Sequence, residues 1–99
     1  YDECRDLDPA KIRETAVNEP LINWHSIDGD VAFDAVRHSG GWAAYASDRA
    51  MSRFAAMMRS SEGLNVLPAS TAGLIALLEG HGRGMLANDR YVAVLTGRR

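Results

Sequence analysis

The sequence predicts an α/β fold, a partial parallel sheet flanked by helices, and three observations carry that expectation. Apolar residues recur at helical spacing, most clearly Met51, Phe54, Ala55 and Met58 at i, i+3, i+4 and i+7. Short apolar, partly β-branched runs at 42–47, 64–67 and 90–96 alternate with the helical stretches. Strands separated in this way by helices usually run parallel, with right-handed crossovers. At 99 residues the whole chain, 1–99, reads as a single domain or a fragment of one.

Taken in order, Asp8-Pro9 is a good helix start, because Asp8 can cap free amides and proline suits the first helical position. This helix is expected to reach about Asn18, with Ile12, Ala16 and Val17 inward. Pro20 then forces Glu19 out of the helical region, so 18–24 is extended. A second helix over about 28–39 carries Val31, Phe33, Ala35 and Val36 and stops at Gly40-Gly41. The run 42–47 reads as a short buried strand, and Ser47 caps a third helix that ends near Gly63. A brief extended piece at 64–67 leads into Pro68. The stretch "PASTAGLIALLEG" is a fourth helix, nearly apolar throughout and therefore expected to be covered on more than one side. Gly80, Gly82 and Gly84 form a loop back to a last strand at about 90–96. Two or three short strands make an incomplete sheet, so its edges need a second copy or further strands.

Composition excludes several classes. Hydrophobic residues are 46% and charged residues 24% of the chain, and the net charge is −2 with acids and bases interspersed. That is no nucleic-acid footprint. No run reaches the roughly 18 apolar residues of a membrane span. A single cysteine, Cys4, precludes an internal disulfide and fits a reducing cytoplasm. The first residue is Tyr1, and the one lysine, Lys11, stands against ten arginines. The start and the abrupt end together lead us to expect a piece of something larger.

In parallel α/β sheets ligands sit outside the carboxyl ends of the strands, which is where Ser47 and Thr96 fall. Gly97 permits close approach of a ligand or another backbone. Here "NEPLINW", "IDGDVAFDAVRHSGGWAAYAS", "SSEGLNVLPASTAGLIALLE" and "YVAVLTG", in this order over about 15–97, resemble a known family. They look like the carboxyl-terminal portion of fold-type II pyridoxal-phosphate enzymes, and most like threonine synthases and cysteate synthase-like proteins.

The resemblance implies the carboxyl-terminal part of the large, tryptophan synthase β-like domain, with pyridoxal 5'-phosphate as cofactor and a small amino acid as substrate. It implies that the Thr96 hydroxyl bonds the pyridine nitrogen and that Gly97 lets the ring come close. Glu62, Gly63, Pro68, Ala69, Ser70 and Thr71 match a segment lining the cofactor and substrate pocket. A hydroxyl, unlike a carboxylate, does not hold the nitrogen protonated. That favours elimination or replacement at the β or γ carbon over transamination. The family's Schiff-base lysine and its phosphate-cradling glycine loop are absent from this sequence, so no catalytic residue is assigned and the chain alone is expected to be inactive. Leu67 replaces an acid common in relatives, and Arg98-Arg99 replaces a His-Gly-Leu-Lys-like stretch. Both departures favour a diverged member over threonine synthase itself.

Other residues carry little. His25, His38 and His81 share no i, i+4 spacing, and no metal site is assigned. Met51, Met57, Met58 and Phe54 read as core, and "GHGRG" as a helix-stop loop. Arg37 and His38 suit the dipole at the end of their helix. Three functions remain open. The first is a segment of a cytoplasmic pyridoxal-phosphate lyase or synthase. The second is a stand-alone, non-catalytic α/β module that dimerises or binds a partner through open sheet edges. The third is a small enzyme or nucleotide binder using Ser47 and Thr96.

Overall fold

The computed structural model describes residues 6–99 and is helical, without a sheet. Helix α1 spans Gly29–Ser39, α2 spans Asp48–Glu62 and α3 spans Ala72–Gly82, with single 3-10 turns at Glu19–Leu21 and Pro68–Thr71. The expected α/β fold with a parallel sheet is therefore not formed. Among the described residues the only β pairing is an isolated antiparallel bridge between Val66 and Arg98. Residues 42–47 and 90–96 form no strand pairing among the described residues, and without a paired backbone an extended segment is not a strand.

The helix expected from Asp8 to Asn18 is absent as well. Asp8 caps as anticipated, accepting the Ala10 N–H at 2.9 Å, but only one turn follows. Thr15 and Asn18 then bond each other's backbone: the Thr15 N–H donates to Asn18 Oδ1 at 2.8 Å and the Asn18 N–H to Thr15 Oγ1 at 3.2 Å. Short polar side chains that satisfy local amides compete with helix, and here they win. Thr15 Oγ1 also donates to Asp48 at 2.6 Å, which ties this segment to the start of α2. Cys4 and Tyr1 lie outside the described residues.

The remaining helices follow their punctuation. Ser47 caps α2 by accepting the Ala50 N–H at 3.1 Å. Gly40 and Gly63 close α1 and α2 with φ of 70° and 67°, a left-handed turn that only glycine adopts freely. On α2 the expected stripe faces inward: Met51 and Ala55 are buried, Phe54 and Met58 half-buried, and Arg49, Arg53 and Ser60 exposed. Met57, expected in the core, is exposed. The fourth predicted helix divides into the Pro68–Thr71 turn and α3, which runs on through Gly80 to Gly82. Gly80, within α3, faces Trp42. A Cβ there would sit 2.8 Å from the indole. Of this apolar helix, only Ile75 and Gly80 are buried and Leu78 is exposed, so the cover expected on several sides is incomplete.

The core is small. Met51, Ala55, Ala69 and Ile75 are its buried apolar residues, joined by Ser70 and Thr71. The Pro68–Thr71 turn is the hub, in contact with α2, α3 and the Glu19–Leu21 turn. Helix α1 touches none of these elements. The result is a flattened body, 38 × 35 × 20 Å, with a radius of gyration of 14.5 Å, looser than the ~13 Å of a compact domain of about 100 residues.

Candidate functional site

Residues far apart in sequence meet at the Pro68–Thr71 turn. Pro68 opens it, and Leu67 precedes it in an extended conformation. The chain's last residues run alongside. The Leu67 N–H donates to Gly97 O at 3.1 Å, the Arg99 N–H donates to Asn65 O at 3.0 Å, and the Val66–Arg98 bridge lies between. Ser70 closes the contact. Its hydroxyl accepts the Gly97 N–H at 2.6 Å and donates to Gly97 O at 3.2 Å. Thr71, fully buried at 0% exposure, donates to Pro68 O at 2.7 Å and lies 3.3 Å from Met51 O. A buried hydroxyl without such acceptors would be strongly destabilising.

Of the residues assigned from the resemblance, Pro68, Ala69, Ser70, Thr71 and Gly97 are thus brought together, with Thr96 next in chain. Ala69, Ser70 and Thr71 are buried by the chain itself, and their polar groups are engaged within it. Gly97 is glycine for a reason visible here: a Cβ would lie 2.7 Å from Leu67 Cδ1 and 2.7 Å from Ser70 Oγ. The close approach is to the protein's own turn. Thr96 is exposed, and its hydroxyl makes no hydrogen bond among the described residues. Glu62 and Gly63 end α2; the Glu62 carboxylate is exposed and forms no ion pair among the described residues. They do not join the Ser70–Gly97 contact.

A second feature escaped the sequence. A half-open cavity of about 480 Å³ lies between residues 42–47, the start of α2 and the end of α3. Trp42 and Tyr45 flank it, small residues such as Ala44 and Ala76 line it, and Glu79 and Arg83 are its charged groups. Ser47, singled out as a strand-end hydroxyl, belongs to this wall and not to the Thr96 region. The pairing of Gly80 with Trp42 shapes the cavity, and no local spacing encodes a contact across 38 residues.

Among the described residues no cluster of three or more His, Cys, Asp or Glu side chains could hold a metal ion, and no helix is long and apolar enough to cross a membrane. Compared with known proteins, the chain matches no family model, no curated protein and no solved structure.

Proposed function

We propose that this chain is the cofactor-side segment of a pyridoxal-phosphate-dependent lyase or synthase that carries out β- or γ-elimination or replacement on an amino acid. The observation that carries the reading is the Ser70–Gly97 clasp. The two stretches that resemble pocket-lining motifs, 68–71 and 96–97, lie far apart in sequence and are bonded to one another. The free hydroxyl of Thr96 fits the pyridine end of the group. It is exposed, neutral and unengaged, while Ser70 and Leu67 fix the residue that follows it. Pyridoxal phosphate, when bound, withdraws electrons from the substrate so that a group can leave its β or γ carbon. In this reading Thr96 donates one neutral hydrogen bond to the pyridine nitrogen and leaves it unprotonated. The clasp keeps the Thr96 backbone from drifting. The phosphate and aldehyde ends fall to residues outside this chain.

A second reading, a partner-binding module without catalysis, is favoured by the exposed apolar residues Ile27, Val31, Val92 and Val94. The coding DNA upstream separates the two. The enzyme reading expects an open frame encoding a serine-lysine motif and a glycine-rich loop; a stop codon just upstream of an independent start signal overturns it. In the reconstituted parent, Thr96→Val should lower cofactor affinity about tenfold, the value of one neutral hydrogen bond plus the unpaired nitrogen. Unchanged affinity would remove Thr96 from the site. Borohydride treatment of the chain with pyridoxal phosphate should leave Lys11 without a stoichiometric adduct.

A further inference from the structure

The cavity beside Trp42 has a pattern of charge that nothing above uses. Glu79 and Arg83 both line it, one helical turn apart at the carboxyl end of α3. At this i, i+4 spacing an acid and a base commonly pair. These two do not: neither side chain has an ion-pair or hydrogen-bond partner among the described residues. Both lie at exposed positions on the rim of the cavity, where a third body can reach them.

Ser47 and Ala50, at the amino end of α2, form part of another wall. Glu79 and Arg83 thus give the space one group of each sign, and a ligand with a single charge would satisfy half of that pair. The rest of the lining presents the Trp42 indole and the methyl groups of Ala44 and Ala76, together with Tyr45. At about 480 Å³ the volume falls within the usual range of small-molecule sites.

We infer that this cavity binds a small zwitterion with an apolar side chain, an α-amino acid by chemical class. Its ammonium faces Glu79, its carboxylate faces Arg83, and its side chain lies against Trp42 and the alanines. The site shares no residue with the Thr96 region, and the inference stands whether or not the chain serves a pyridoxal-phosphate enzyme. Gly80 keeps Trp42 in place as one wall: any side chain at position 80 would push the indole aside.

The test is a titration of the 99-residue chain, carrying Trp24→Phe so that Trp42 alone reports, with three probes followed by tryptophan emission and by calorimetry. L-leucine should bind saturably and shift the emission. L-leucinamide, without the carboxylate, and 4-methylpentanoate, without the amine, should each bind at least tenfold more weakly. Glu79→Gln should abolish the preference over 4-methylpentanoate, and Arg83→Gln the preference over leucinamide. Both replacements lie at exposed positions, and circular dichroism will show that α3 persists. No saturable binding of leucine, equal binding of all three probes, or preferences untouched by the two replacements would each overturn the inference.

Discussion

Helices α1 and α2 have nearly the same amphipathic design and opposite fates. Each starts after an acid or a serine, carries apolar residues at helical spacing, and ends on a glycine at positive φ. Yet α2 buries Met51 and Ala55 against the Pro68–Thr71 turn, while α1 buries only Gly29 and leaves Val31 73% exposed. Phe33 of α1 is half-buried and lies beside Arg37 of its own helix, whose guanidinium carbon is 5.5 Å from the ring centre. An apolar stripe states what a helix can bury, not what will be there to bury it. For α2 the chain supplies that surface through a turn clamped by its own last residues. For α1 no other helix or turn among the described residues supplies it.

Substitutions can break this contrast, and the largest effect should come from α2. Met51 is 1% exposed, and Met51→Ala should destabilise by about 2–5 kcal/mol, enough to unfold much of so small a core. Urea denaturation followed by circular dichroism will measure it. Next comes the clasp. Gly97→Ala places a methyl 2.7 Å from both Leu67 Cδ1 and Ser70 Oγ, and should cost about 1–3 kcal/mol because the serine cannot retreat without losing its bonds. Faster exchange of the Leu67 amide will locate the damage. In α1, by contrast, Val31→Ser should change stability by less than about 0.5 kcal/mol. A loss comparable to that of Met51→Ala would mean that α1 docks on the body in solution.

How far these regions could be read from sequence follows the same division. The bounds of α2 were legible because Ser47 and Gly63 act on their own immediate neighbours. The Ser70–Gly97 contact was not legible, since no spacing rule predicts that these two residues bond. The strands failed for a physical reason. Residues 90–96 have every local property of a strand, but a strand exists only when another backbone pairs with it. The early helix failed at Thr15 and Asn18, whose side-chain bonding to nearby amides is a known competitor that apolar periodicity does not register. The Glu79 and Arg83 cavity was hidden because its walls come from three segments and its shape depends on one glycine facing one tryptophan.

The smallest expected effect concerns the residues before α1. Asp6 accepts the Ser26 N–H at 2.6 Å and lies 3.5 Å from His25. The amide bond first, and the imidazole second, hold its carboxyl below the ordinary value of 3.8. A depressed carboxylate pKa means that the contact contributes above the unfolded value and is lost as pH falls through the folded one. The Ser26 amide should therefore lose protection only in acid, below about pH 4, and Asp6→Asn should remove that dependence. Because the group lies in water, global stability should hardly respond.

The clamp on the last residues has a consequence for the integrity of the chain. Arg90 is exposed and lies in a stretch without regular structure, so a trypsin-like protease has ready access to the bond that follows it. The severed nonapeptide, residues 91–99, would keep its anchors on Asn65, Leu67 and Ser70, since none of them depends on the cut bond. The molecule is in that sense a complex of two pieces that happen to be covalently joined. A nicked form should hold together by affinity alone, and a synthetic peptide of the same sequence should be able to exchange into it.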